Sequence, residues 1–126
     1  MRRTVLTCLA AVLAVSAACL PAGAQSRDVP YDEELLRLSE VLGSIHYLRN
    51  LCGEDTNVWR EQMEGLLAVE NPEPLRRARL VARFNRGYRS FDSVYTVCTK
   101  QALAAAERYQ REGETLARRI NTRYGE

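Results

Sequence analysis

The chain has 126 residues, of which 46% are hydrophobic, 27% charged and 7% aromatic. This length accommodates one domain, and the composition is that of a folded protein rather than a disordered or collagen-like chain. The formal net charge is +2, and with four cysteines, one histidine and one tryptophan the chain has few side chains suited to catalysis or metal binding.

The N-terminal segment has the three parts of a secretory signal peptide. Two arginines follow the initial methionine, an apolar stretch covers residues 5–20, and small residues occupy positions 22–24. The apolar stretch is shorter than the roughly 20 residues that span a bilayer. We therefore predict a signal peptide over residues 1–24, cleaved between Ala24 and Gln25.

Cleavage changes both the charge and the cysteine content. The remaining 102 residues contain 16 basic and 16 acidic side chains, so their net charge is zero. Cys52 and Cys98 are then the two remaining cysteines, and in an oxidising compartment such a pair predicts one disulfide. A redox-active pair is disfavoured because Cys-x-x-Cys spacing is absent. The alternatives to cleavage are acylation of Cys19, as in a lipoprotein, and an uncleaved membrane anchor.

Hydrophobic periodicity predicts four helices after a polar lead-in at residues 25–31. Apolar residues recur every three or four positions, and no segment shows the sustained alternation of a strand. Asp32 and Thr99 are candidate N-caps, because their side chains can accept a hydrogen bond from a free backbone N–H. The segment Asn-Pro-Glu-Pro at 71–74 ends the second helix. The predicted helices are 32–52, 56–70, 74–97 and 100–124, within a single helical domain at 32–126.

Four helices with short connections predict an all-α fold, a small antiparallel (up-down-up-down) four-helix bundle. Alternate helices of such a bundle end at the same side of the molecule. Cys52 ends the first predicted helix and Cys98 ends the third. The pair is therefore placed to satisfy a disulfide, whose Cα atoms must lie within about 7 Å.

Each predicted helix contains one interior glycine, which costs up to ~1 kcal/mol relative to alanine. Gly113 lies on an apolar face, so we expect a close helix approach there. Gly87 is a candidate for a bend in the third helix. The sequence indicates no role for Gly43 or Gly65.

His46 is the only histidine and lies at the edge of the apolar face of the first helix. Nucleophilic catalysis requires a Ser or Cys beside the base and a carboxylate behind it, and Ser44 lies in another direction on the helix. A zinc site needs more ligands than one histidine. We therefore predict a structural His46, no metal and no cofactor.

Arg49 falls within the apolar face of the first helix, one turn before Cys52. A guanidinium there must be paired or must extend to the end of the bundle. Asp92 of the third helix lies at a comparable height, so we predict a partly buried Arg49–Asp92 ion pair. The functional alternative is an anion site at this end of the bundle.

Four arginines form a basic ridge on the third helix, roughly opposite its apolar face. The simplest interpretation is a solvated surface, and the functional one is contact with an anionic envelope surface or an acidic partner. Nucleic acid is disfavoured because the chain is predicted to be exported and to lose its net charge. The ridge comprises Arg76, Arg79, Arg83 and Arg86.

The zero net charge hides a division along the chain. Residues 28–73 contain eleven acidic and three basic side chains, whereas residues 74–126 contain twelve basic and five acidic ones. The two halves can attract each other within one bundle. The same division is compatible with head-to-tail association between molecules.

Several segments carry a resemblance to one family, and the resemblance extends over essentially the whole mature chain. They are residues 35–52, 84–91, 95–99 and 123–125. These segments resemble an uncharacterised alphaproteobacterial family of short, signal-bearing proteins. The resemblance implies a Gram-negative periplasm, and it implies no activity or catalytic residues because none is established for the family.

These features favour a structural or protein-interaction role in the cell envelope, with an envelope protein or an anionic surface as the partner. No transmembrane span is expected after cleavage, no enzyme activity is expected, and the oligomeric state is open. The first alternative is a small-ligand-binding bundle with a polar site near His46, Arg49, Asn85 and Tyr88. The second is an enzyme that uses His46 as a general base.

Overall fold

The computed structural model describes residues 28–125, which form four helices and no strand. The helices pack against one another as a bundle, which confirms the predicted all-α architecture. Within this range, no helix combines the length and the apolar character needed to cross a bilayer. The predicted signal peptide with its cleavage site, and Cys19, lie outside the described residues. The helices are α1 (Asp32–Leu51), α2 (Val58–Glu70), α3 (Pro74–Asp92) and α4 (Lys100–Tyr124).

Ion pairs at one end of the bundle give the directions of the helices. Arg76, in the first turn of α3, lies 2.7 Å from Asp32 at the start of α1 and 2.8 Å from Glu70 at the end of α2. Arg119, near the end of α4, lies 3.2 Å from Glu34 near the start of α1. Helix α3 therefore runs parallel to α1, whereas α2 and α4 run antiparallel to it, as in an up-down-up-down bundle.

Side-chain caps begin two of the helices. The carboxylate of Glu73 accepts hydrogen bonds from two backbone N–H groups in the first turn of α3. Thr99 accepts one from the Ala102 N–H at 3.0 Å, which confirms the predicted cap of α4. Asp32 is instead the first residue of α1, and its carboxylate accepts a bond from the Val29 N–H, which lies before the helix.

Helix α3 ends five residues earlier than predicted, at Asp92. The following connection returns to the end of α1, where the Tyr47 hydroxyl donates to the Tyr95 carbonyl. Cys98 lies in this connection and forms the predicted disulfide with Cys52, with a Cα–Cα distance of 4.9 Å. The disulfide prediction is confirmed, although Cys98 follows the helix rather than ending it.

Helix α1 is the centre of the bundle. In the described part of the chain, the extensive helix–helix contacts all involve α1, and α2 makes none with α3 or α4. A helix contacted on three sides is apolar over most of its circumference rather than along one stripe. Its buried apolar side chains are Leu35, Leu36, Val41, Leu42, Ile45 and Leu48.

Helices α1 and α3 approach each other closely at two glycines. A Cβ atom placed on Gly43 would overlap the Phe84 carbonyl, and one placed on Gly87 would overlap the Glu40 carbonyl. Gly87 therefore permits close packing of α3 on α1, and α3 continues through it without interruption. A Cβ on Gly113 of α4 would lie 3.1 Å from a Val41 methyl group, in agreement with the close approach expected there.

Ion pairs within the molecule join the acidic half to the basic half. Glu40 of α1 lies 2.9 Å from Arg83 of α3, a pair that has the expected polarity. Arg37 of α1 and Glu112 of α4 pair with the opposite polarity at 2.6 Å. Because these side chains are partly exposed, each pair contributes modestly to stability. Side chains of the acidic half and the basic half therefore attract each other within one bundle.

Candidate binding grooves beside helix α2

Helix α2 leaves an open groove on each of its two sides, because it packs on α1 without extensive contact with α3 or α4. We call these the α2–α4 groove and the α2–α3 groove. Their volumes are about 710 and 440 Å³ respectively. Both volumes fall within the roughly 300–1,000 Å³ typical of ligand sites.

The α2–α4 groove is predominantly apolar. Leu38, Leu42 and Ile45 of α1 lie along it. Its α2 wall includes Val69, which is 86% exposed, so the groove presents unburied apolar surface. Gly65 adds no side chain to this wall. The space beside it is open, since a Cβ added there would meet nothing within 4 Å. Its remaining apolar lining is Val58, Trp59, Leu66 and Ala117.

The polar residues of the α2–α4 groove are acidic or neutral. Glu61 and Glu70 belong to its α2 side and Glu114 to its α4 side, with Glu70 paired to Arg76. Among residues 28–125, no lysine or arginine lines this groove. Gln62 and Gln110 complete the polar set. Carboxylates beside an apolar surface produce a negative potential that favours positively charged partners.

The α2–α3 groove is more polar and contains most of the predicted ligand site. His46 of α1 lines it together with Asn85 and Tyr88 of α3. The rings of Phe84 and Tyr88 lie beside the imidazole, with centroid distances of 6.0 and 5.9 Å. Three of the four residues expected near this site are therefore brought together. Helix α2 contributes Arg60, Met63, Glu64 and Leu67.

The hydrogen bonds around His46 determine its tautomer. The Asn50 side-chain oxygen accepts from the Thr56 N–H at 3.1 Å, so its amide nitrogen is the group that lies 3.4 Å from His46 Nδ1. Nδ1 is therefore an acceptor, and the proton resides on Nε2. Burial, with a contribution from the Arg60 charge, lowers the pKa of His46. The imidazole is accordingly neutral near pH 7.

Asn50 is the hydrogen-bond partner of His46 among the described residues, and no carboxylate or nucleophile hydrogen-bonds the ring. Within residues 28–125, no group of three or more His, Cys, Asp or Glu side chains is arranged to hold a metal ion. The site is therefore suited to binding through hydrogen bonds and apolar contacts.

A family model described as a protein of unknown function (DUF2385) matches residues 30–124, which include all four helices and both grooves. The chain belongs to the DUF2385 family. No curated protein and no solved structure matches it. The match confirms the predicted membership of an uncharacterised family.

The predicted Arg49–Asp92 ion pair is wrong for this DUF2385 protein. Arg49 instead contacts Gln110 of α4 at 2.6 Å and Glu54 at 3.4 Å. The reason is geometric: His46 lies on the side of α1 that faces α3, whereas Arg49 faces α4. Arg49 therefore lies outside the α2–α3 groove, and its buried Nε atom has no hydrogen-bond partner in the described part of the chain.

The predicted outward-facing basic ridge is also corrected. Arg76 is only 5% exposed, and Arg79 and Arg83 pair with Asp28 and Glu40. Burial acts to lower the pKa of Arg76, but its hydrogen bonds to acidic neighbours outweigh that effect and raise it. Helical periodicity places these arginines opposite the apolar face, whereas the structure pairs Arg76 and Arg83 with carboxylates of α1. Of the ridge, Arg86 is exposed to solvent.

Sequence reasoning missed the α2–α4 groove and the contribution of Arg60 to the α2–α3 groove. A signal was present in α2, whose apolar residues exceed what one buried face requires. Met63 and Leu67 are buried against α1, whereas Val58 and Val69 are exposed. An excess of apolar residues on a short helix indicates that more than one of its faces contacts apolar groups.

Proposed function

We propose that this protein is exported and acts as a non-enzymatic interaction module of the cell envelope, and that its α2–α4 groove binds a helix of a partner protein. The signal-like segment at residues 1–24 supports export. The Cys52–Cys98 disulfide supports an oxidising compartment such as the periplasm. The α2–α4 groove carries the proposal, because it is the larger of the two grooves and leaves apolar surface such as Val69 open.

The shape and charge of the groove specify the partner. An amphipathic helix binds an apolar groove through side chains spaced three or four residues apart. Helix α2 has 13 residues, or about 20 Å, so the groove matches roughly three to four turns of a bound helix. Glu61 and Glu114 at its edges favour lysine or arginine beside the apolar face of that helix. The partner is therefore a basic amphipathic helix.

Site-specific photocrosslinking in living cells tests this proposal. A photoreactive amino acid is placed at Leu66 or Val69 in the groove, and at the exposed Ala104 of α4 as a control. We expect both groove positions to crosslink to the same protein and the control position not to do so. The crosslinked segment should be an amphipathic helix with basic residues beside its apolar face.

Charge reversal distinguishes specific docking from nonspecific apolar binding. Glu61→Lys together with Glu114→Lys should strongly weaken the crosslink from Leu66 without unfolding the bundle, because both side chains are exposed. Equal crosslinking from the groove and from Ala104, or a crosslink insensitive to charge reversal, contradicts the docking proposal. Retention of an uncleaved chain in the cytoplasm contradicts export.

A further inference from the structure

The α2–α3 groove carries a set of hydrogen-bond donors that the bundle leaves unused. The tautomer imposed by Asn50 places a proton on Nε2 of His46, and this nitrogen has no hydrogen-bond partner among the described residues. The amide of Asn85 and the hydroxyl of Tyr88 belong to the same groove. Donors at a concave surface bind an acceptor that comes from outside the chain.

Arg60 adds a positive charge to these donors. Its guanidinium contacts Glu64 at 3.5 Å, and the two side chains are 64% and 66% exposed. An exposed pair one helical turn apart contributes little, so the guanidinium can exchange Glu64 for a bound anion at small cost. Arginine binds carboxylates in a bidentate geometry that Glu64 does not use here.

The remaining walls of the groove are apolar. Met63 and Leu67 of α2 face Val81 and Phe84 of α3. Met63 and Leu67 are buried, at 4% and 5% exposed, so this side of the groove consists of well-packed side chains. A volume of about 440 Å³ admits a small organic molecule and is too small for a helix.

We infer that the α2–α3 groove binds a small organic carboxylate that has an aromatic or aliphatic body. The carboxylate accepts hydrogen bonds from Arg60 and from His46 Nε2–H, while Asn85 offers a further amide donor. The apolar body packs against Met63 and Phe84. This site lies on the opposite side of α2 from the proposed helix-binding groove and is independent of it.

Nuclear magnetic resonance titration with three matched probes tests the inference. The full chain is expressed in an exporting bacterial host, and the purified disulfide-bonded protein is titrated with benzoate, benzamide and benzylamine. The probes share a ring and differ in charge. We expect benzoate to shift the amide signals of residues around His46 and Tyr88, and the two other probes to bind at least about tenfold more weakly. Comparable binding of all three probes, or no shifts in this groove, overturns the inference.

Two arginine variants test whether Arg60 recognises the charge of the carboxylate. Arg60→Gln should weaken benzoate binding by about tenfold, the effect of losing one charge-assisted hydrogen bond. Arg86→Gln removes an exposed arginine from α3 outside the groove and should leave benzoate binding within twofold. His46→Phe keeps a ring and removes the Nε2 donor, so it should also weaken binding. Equal affinities of the Arg60 and Arg86 variants overturn the assignment.

Discussion

Gly43 of α1 packs against the backbone of α3 at Phe84, and Gly87 of α3 packs against the backbone of α1 at Glu40. A Cβ on either glycine would overlap a carbonyl oxygen of the facing helix. The close crossing also positions Phe84 and Tyr88, which precede and follow Gly87, against the His46 ring. The same contact therefore closes the core and builds one wall of the α2–α3 groove.

Alanine at either crossing glycine should destabilise the protein. Gly43→Ala or Gly87→Ala forces the α1 and α3 backbones apart, and overpacking of this kind costs about 1–3 kcal/mol, more than alanine gains through helix propensity. Gly65→Ala is the matched control, because space around Gly65 is open, and it should stabilise by up to ~1 kcal/mol. Urea denaturation measures all three. Stabilisation by Gly87→Ala would contradict the observed crossing.

Removal of the buried Arg76 guanidinium should be among the most damaging single changes. Its side chain and that of Asp32 are 6% and 9% exposed, so Arg76→Met leaves a buried carboxylate without its partner. Breaking a buried pair in this way costs about 3–5 kcal/mol. Arg86→Met, on the exposed part of α3, should change stability by no more than about 0.5 kcal/mol. Thermal or urea unfolding of the two variants measures the contrast, and similar midpoints would show that Arg76 is not buried.

Loss of the disulfide should lower the free energy of unfolding by about 4 kcal/mol, the chain-entropy value for a separation of 46 residues. The double variant Cys52→Ser with Cys98→Ser tests this in urea. Reductant should lower the midpoint of the wild-type protein to that of the variant. The midpoint of the variant should not respond to reductant, and an equal response of both proteins would assign the effect to something other than the bridge.

Acidification should destabilise the fold through His46. Burial and then the Arg60 charge lower its folded-state pKa, so the unfolded chain binds the proton more tightly than the folded chain does. His46 therefore contributes to the unfolding free energy fully above the pKa of the unfolded chain, about 6.5. This contribution is lost as pH falls from there through the lower pKa of the folded chain. Between pH 7.5 and 5.5, the melting temperature should fall more for the wild type than for His46→Asn. Parallel pH curves for the two proteins would remove His46 as the cause.

Local features of the sequence were sufficient to predict the helices and their connectivity. The cap at Thr99 and the break at 71–74 depend on backbone chemistry within a few residues, so they are visible without a fold. The pairing of Cys52 with Cys98 followed from the number of cysteines and the direction of alternate helices. The end of α3 was misplaced because Tyr47 and the disulfide, both long-range contacts, hold the connection that follows Asp92.

The two errors in the predicted sites have a common cause. A helical wheel places charged side chains in solvent, or pairs them by their position along the bundle axis. It does not show which neighbouring helix each face meets. Arg76 was assigned to an exposed ridge, although Asp32 and Glu70 hold it in the interior. Arg49 was paired with Asp92 on α3, although its side of α1 faces α4.

Periodicity, residue counts and order along the chain are enough to predict four helices, one disulfide and an acidic half followed by a basic half. The arrangement in space is visible only once the chain has folded: α1 is the central helix, Arg76 and Arg83 of α3 pair with its carboxylates, and α2 has a groove on each side. Burial and charge pairing depend on which helix faces meet, and periodicity along one helix does not show this. At Gly43 and Gly87, the lack of a side chain lets the backbones of α1 and α3 meet directly.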